Sequence, residues 1–337
     1  MSLFSLPHRF LQSACLSCSA VLLITLSGCS DSNNSNSGSK ADDKVLVGCA
    51  DTNSCVSNPD LQIGEDRPAQ VHIPSDYTPS TRYPLIIVLH GYGASGSVQA
   101  GYLGLTERVD SKQYVLVVPD GTESLDGTRF WNATPACCAR VAALGSQVDE
   151  EEYTQIDDVA YVRKLVEEAA ATYSIDTQRI GLVGHSNGGF MALRMACEAS
   201  EIITSVVSLA GSTFAEDSSC TPATDPVSVL LMHGDDDGTI AYDGGEILSS
   251  AYPGAIETTE RFAAHAGCNS SKATMGANLD MVENIEGAET TVVEIPECEQ
   301  GTGVALWTLV GAPHIPFPWV PSGLDRFVDW VLEHPRK

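Results

Sequence analysis

Gly184-His185-Ser186-Asn187-Gly188 sets a serine between two glycines, where an apolar, β-branched run (Ile180 to Val183) gives way to a helical pattern. A serine hydroxyl attacks a carbonyl carbon once a base takes its proton and a carboxylate orients that base. Both partners lie downstream. "VSVLLMHG" (227–234) runs into Asp235-Asp236-Asp237, and "VALWTLVG" (304–311) runs into "APHIPFPW", which carries His314. The chain order of serine, acid and histidine is that of a nucleophile held on a sharp strand-to-helix turn. These residues leave the acid open among Asp235, Asp236 and Asp237. His265 falls in a helical segment and His334 in the terminal "EHPRK", so His314 is the expected base.

Attack on a carbonyl also leaves an oxyanion that must be held. The backbone N–H of Asn187, at the helix start, is one expected donor. The loop "LHGYGASGS" (89–97) supplies the other, the N–H of Tyr92, while His90 is read as a hydrogen-bonder that stabilises the loop. Losing one such donor typically costs roughly 10²–10³ in turnover. Trp131 in "FWNATP" and Trp319 in "PFPWVP" are loop aromatics expected to line the substrate pocket, with packing as their alternative role. The competing reading of Ser186 is a helix cap in a glycine-rich turn; the acid and base in order argue for the nucleophile.

These residues need a frame that brings strand ends together. "YPLIIVLHG" (83–91) and "YVLVVPDG" (114–121) read as buried strands, as do 179–183, 204–209, 227–232 and 304–309. Between them, helical patterns occupy 157–173, 187–198, 255–266 and 322–333. In the first, Val159, Val162, Val166, Ala169 and Tyr173 share one face, and Asp157-Asp158 begin it. Alternation of this kind predicts an α/β fold with a mostly parallel central sheet and helices on both faces. Ligands in such sheets bind at the carboxyl ends of the strands, where Ser186, the aspartates and His314 all fall.

Residues 1–28 have the layout of a lipoprotein-type signal peptide, with Arg9, an apolar stretch from Phe10 to Leu26, and "LSGC" ending at Cys29. Cys29 is the expected lipidation site, and the apolar run is shorter than the ~20 residues a membrane span needs. Residues 29–44, rich in Ser and Asn, read as a flexible tether. Residues 45–337 form the expected catalytic domain. The resulting expectation is export, either as a bacterial membrane-anchored lipoprotein at the cell surface or periplasm or as a secreted protein, with membrane contact only through the lipid. The 44 acidic against 18 basic residues, a net charge of −26, argue against a nucleic-acid partner. Of the eleven cysteines, Cys15 and Cys18 would leave with the signal. The eight beyond Cys29 are an even number in an exported chain and read as disulfides. No paired C-x2-C ribbon spacing suggests a metal site, and no cofactor is expected.

From about Arg67 onward the chain resembles the polyhydroxybutyrate-depolymerase and feruloyl-esterase group of α/β hydrolases. The resemblance rests on "VLHGYGAS", "WNATPACC", "RIGLVGHSNGGFMALRMACE", "LAGS", "MHGDDDGTIAYDGG" and "ALWTLVGAPHIPFPW", in the group's order. It implies a single α/β-hydrolase domain and a serine carboxylesterase acting on hydroxyalkanoate oligomers or plant cell-wall esters. An acetylxylan esterase or a peptidase of the same fold is the enzyme alternative, and a catalytically dead surface binding lipoprotein the non-enzyme one. Alignment on His233-Gly234 and Tyr242 puts the group's catalytic aspartate at Asp237, with Asp235 and Ala241 as departures. A third departure is Gly311-Ala312-Pro313-His314, where the group has G-G-G-H. The resemblance also implies disulfides Cys197–Cys220 and Cys268–Cys298. Cys49–Cys55 and Cys137–Cys138 are then local pairs, or the four are joined crosswise.

Overall fold

Leu85, Ile87 and Leu89 bury into one hydrophobic core, and Ile86 and Val88 into another. Successive strand side chains point to opposite faces, so a strand covered on both sides reads as a near-continuous apolar run. This is why Tyr83–Leu89 is wholly buried. The computed structural model describes residues 61–220 and 225–337. The expected signal peptide, the tether, Cys29 and the pair Cys49–Cys55 lie outside the described residues.

Among the described residues, the main sheet has ten strands. Its centre is six parallel strands, in the order Val115–Val118, Tyr83–Leu89, Ile175–His185, Ser205–Leu209, Ser228–Gly234 and Val304–Leu309. These match the six expected strands. Antiparallel strands close both edges. Ala69–His72 pairs with Val115–Val118 and with Gln62–Ile63, and Thr290–Ile295 pairs with Val304–Leu309 and with Thr274–Met275. The edge strands, a hairpin of Gly244–Ile247 with Ser250–Pro253, and the helices Gly96–Tyr102, Ala139–Ser146 and Glu150–Thr154 were not expected from the sequence.

The expected helices occur as Asp158–Thr172, Asn187–Glu198, Ala255–His265 and Pro321–Leu332. The first three contribute to the core on one face of the sheet, and the last packs on the other. The acidic pair before the first helix divides its work. Asp157 accepts the N–H of Ala160 at 2.8 Å as a cap. Asp158 turns inward, meets Arg67 at 2.8 Å and accepts the Asn132 N–H at 2.7 Å.

Register brings the strand ends level. Leu89 faces Gly184, His185 faces Leu209, and Leu309 faces Gly234. The loops that follow therefore emerge along one edge. Two disulfides brace this frame: Cys197–Cys220 ties the end of the helix after Ser186 to the segment beyond Ser205–Leu209, and Cys268–Cys298 packs with Ala263, Ala266, Ile295 and Val304. Cys137 and Cys138 are bonded to each other.

Candidate active site

Ser186 stands at φ 54°, ψ −120°, between the strand Ile175–His185 and the helix Asn187–Glu198. A positive φ at a non-glycine residue is unfavourable and persists only where surroundings enforce it. Here they do. The Ser186 N–H donates to Leu209 O at 2.8 Å, and the helix continues from Ser186 O, which accepts the Phe190 N–H at 3.0 Å. The flanking glycines make the turn possible. A Cβ on Gly184 would lie 2.0 Å from Gly188 O, and one on Gly188 would lie 2.0 Å from Leu89 O. Both positions exclude any side chain.

His314 approaches from the loop after Val304–Leu309, with Nε2 2.9 Å from Ser186 Oγ and Nδ1 2.7 Å from Asp237 Oδ2. This leaves Nδ1 as donor to the carboxylate and Nε2 as acceptor for the hydroxyl proton. Asp237 is 7% exposed. Its Oδ1 accepts the N–H groups of Thr239 at 2.8 Å and Ile240 at 2.9 Å. On the other side, His233 Nε2 lies 3.3 Å from Oδ2 while it also bonds Ile240 O at 2.8 Å. Burial acts to raise the Asp237 pKa, but His233, His314 and the two N–H groups outweigh it and hold the carboxyl well below the usual range. The acid is ionised at neutral pH.

Of the three adjacent carboxylates, only Asp237 faces His314. Asp235 and Asp236 are exposed. Asp235 Oδ1 accepts the N–H of Gly311 at 2.5 Å, and the Asp236 N–H donates to Ala312 O at 3.2 Å. Two of the departures from the group's pattern, Asp235 and the Ala312-Pro313 pair, thus lie where acid loop and base loop join.

The loop after Tyr83–Leu89 runs beside the serine: a Cβ on Gly91 would lie 3.4 Å from that of Ser186. His90 is buried and braces this loop through both ring nitrogens. Nδ1 donates to Gly91 O at 2.8 Å and Nε2 accepts the Gly121 N–H at 2.8 Å. Burial lowers its pKa, which keeps this neutral tautomer. Among the described residues, no hydrogen bond engages the N–H of Tyr92 or of Asn187. The Asn187 side chain is engaged elsewhere, accepting from Trp131 N at 2.7 Å and donating to Trp131 O at 2.9 Å.

The structure corrects the pocket expectation for the two tryptophans. Trp131 is completely buried, and its Nε1 donates to His90 O at 3.0 Å. It supports the loop from beneath rather than lining a cleft. Trp319 is also buried, against Tyr102 at 5.7 Å between ring centres. The exposed apolar groups near the base are instead its loop neighbours Ile315 and Phe317.

Three supporting residues escaped the sequence reading. His185 donates from Nε2 to His314 O at 2.9 Å, and Tyr102 donates to Pro316 O at 2.8 Å, so both anchor the base loop. His233 served only to align the acid motif, yet its ring sits on the acid. His185 adjoins Ser186 and His233 precedes Asp237 by four residues, but the partners of His185 and Tyr102 come from distant segments and were not visible.

The chain matches the phospholipase/carboxylesterase family over residues 75–281, more than half its length and inclusive of Ser186 and Asp237. It is 25% identical over 304 residues to feruloyl esterase D of Neurospora crassa, covering 84% of this chain and 89% of that one. It is 26% identical over 230 residues to a probable feruloyl esterase C of Aspergillus niger, covering 65% and 70%. Its fold is that of the acetyl xylan esterase from Aspergillus awamori, with a TM-score of 0.55 at 13% identity over 80% of this chain and 97% of the other. The chain therefore belongs to the phospholipase/carboxylesterase family of α/β hydrolases and is a serine ester hydrolase.

Proposed function

We propose that the protein is an exported carboxylesterase of the feruloyl or acetylxylan type, with Ser186, His314 and Asp237 as its catalytic triad. The observation that carries the triad is the hydrogen-bonded line from Ser186 Oγ through the His314 ring to Asp237 Oδ2. Ser186 attacks the ester carbonyl as its proton passes to His314 Nε2. The Tyr92 and Asn187 N–H groups hold the oxyanion, and His314 returns the proton to the leaving alcohol. Water, activated by the same imidazole, then releases the acid from the acyl-enzyme. Asp237 holds the ring in the tautomer that accepts at Nε2 and stabilises the imidazolium that forms. The residues named do this chemistry without a metal or an organic cofactor.

The substrate reading rests on the relatives, two of them feruloyl esterases by name. They favour a plant cell-wall ester over a hydroxyalkanoate oligomer. Export rests on the N-terminal sequence alone, with acylation at Cys29 as the proposed anchor.

The test is a panel of methyl ferulate, acetylated xylan, hydroxybutyrate oligomers and peptide amides offered to the purified domain. Turnover of methyl ferulate or acetylated xylan well above the rest is expected. Preference for the hydroxybutyrate oligomers would move the substrate class, preference for peptide amides would make the protein a peptidase, and inertness toward all four and toward p-nitrophenyl acetate would leave a binding protein.

A further inference from the structure

The backbone of the loop after Tyr83–Leu89 commits its N–H groups one by one. Gly93 N–H donates to Arg129 O at 2.8 Å and Ala94 N–H to Gly91 O at 3.0 Å. Gly91 N–H donates to a side chain, Gln99 Oε1, at 3.2 Å. Tyr92 N–H, between them, has no acceptor among the described residues. Gln99 lies in the helix Gly96–Tyr102, is 3% exposed, and its Nε2 has no partner among the described residues.

A buried carboxamide with an unpaired NH2 is a destabilising choice for a position that an apolar side chain would fill. Its one hydrogen bond goes to the residue just before Tyr92. The helix itself is fixed by other means: Gly96 N–H donates to Asp120 Oδ1 at 2.7 Å, and Ser95 caps Val98 N. Gln99 is therefore dispensable to the helix. The residue it holds, Gly91, runs beside Ser186, where a Cβ on the glycine would lie 3.4 Å from that of the serine.

We propose that Gln99 is a positioning residue of the oxyanion site: by accepting the Gly91 N–H it fixes the peptide that follows, so that the Tyr92 N–H is presented to the charge that develops on the substrate oxygen. This rests on the assignment of Ser186 as nucleophile and Tyr92 as donor. Gln99 touches no substrate. Its effect belongs to the transition state, because a misaligned donor is felt most where the oxygen carries charge.

The test compares Gln99→Met, which keeps length and volume but removes the acceptor, with Gln99→Glu, which keeps an acceptor oxygen and loses the unpaired NH2. For Gln99→Met, kcat on p-nitrophenyl acetate is expected to fall about 10–100-fold, less than outright loss of a donor, with KM within about threefold. Affinity for a trifluoromethyl ketone, which forms an oxyanion on the serine, should fall in proportion to kcat. Gln99→Glu should retain activity within about fivefold of wild type, since the acceptor that carries the effect remains. A Gln99→Met enzyme with unchanged kcat, or one whose KM rises while ketone affinity holds, overturns the proposal. So does a Gln99→Glu enzyme as impaired as Gln99→Met. Ser186→Ala, run beside them, separates the two levels: if it stays active the triad assignment has failed, whereas a dead Ser186→Ala with an unaffected Gln99→Met sinks only the role of Gln99.

Discussion

Asp237 and His314 come from loops 77 residues apart in sequence and meet at 2.7 Å, while Asp235, two residues before Asp237, bonds the backbone of the same histidine loop at Gly311. One acidic stretch thus orients the imidazole with one carboxylate and pins the base loop with another. The two roles have different chemistry. The Asp237 contact decides which ring nitrogen carries the proton, and the Asp235 contact needs only an acceptor oxygen, which an asparagine also has.

Asp237→Asn is accordingly expected to lower kcat by orders of magnitude, up to roughly 10⁴ by analogy with the protease triad, with little change in KM. Asp235→Asn and Asp236→Asn should remain within about tenfold of wild type, equivalent to about 1.4 kcal/mol. Steady-state kinetics of all three on one ester under one set of conditions decides the matter. A collapse at Asp236 with Asp237 spared would move the acid by one residue.

Ser186→Ala should abolish ester turnover and covalent labelling by a fluorophosphonate while leaving the protein folded. The frame around position 186 consists of main-chain bonds from Ser186 N and O and of the close approach of Gly184 and Gly188, none of which uses the hydroxyl. Circular dichroism and a thermal midpoint within a few degrees of wild type would establish that the loss is chemical. Retained turnover in the folded variant would remove Ser186 from the mechanism.

The anchor is tested separately. If Cys29 is acylated, the full-length protein partitions into detergent and incorporates labelled fatty acid, and Cys29→Ala abolishes both. One chain alone holds a membrane only weakly, so stable anchoring calls for more than one. A wild-type protein that takes up no label would rule out acylation at Cys29.

What the sequence made legible follows from how locally each feature is encoded. Each of the six central strands carries a largely apolar run because both its faces are covered there, and this signal is contained within the segment. The edge strand Thr290–Ile295 is covered unevenly, with Thr291 and Val293 half-buried and Glu294 exposed, so its six residues carry no such run. The short helices Ala139–Ser146 and Glu150–Thr154 give fewer than three turns of pattern each. At the site, Ser186 and His314 were legible from strand-end position and chain order. Asp237 was not separable from Asp235 and Asp236 by position alone, because side-chain direction within a turn depends on backbone angles that spacing does not reveal. Trp131 misled for the opposite reason: a tryptophan in a polar loop looks free, yet His90 O and the Asn187 side chain draw its indole and backbone inward.

His185 gives a pH dependence of stability whose sign can be worked out. Burial, only partly offset by its bond to His314 O, lowers its pKa from the ordinary 6.5 to about 4. Above pH 6.5 the ring is neutral both folded and unfolded and contributes nothing to the pH dependence. As pH falls below 6.5, the unfolded chain takes up a proton that the folded protein refuses until about pH 4, so stability is lost across that window. A shift of this size corresponds to about 3 kcal/mol. Asp237, whose pKa is also depressed, stabilises the fold while ionised, and that contribution is lost only under more acidic conditions, below the ordinary carboxylate range. The two windows are therefore separable. His90 and His334 are shifted down by burial as well and add to the loss in the same sense, so the share of His185 must be isolated by substitution. His185→Gln keeps an N–H that can reach toward His314 O and removes the titration. Urea unfolding midpoints measured from pH 7.5 to 4.5 should fall less steeply for His185→Gln than for wild type, and the curves should approach or cross as pH drops. Parallel curves would mean that the ring of His185 is protonated in the folded protein as readily as in the unfolded chain, and that the clamp on the His314 loop is not a neutral imidazole.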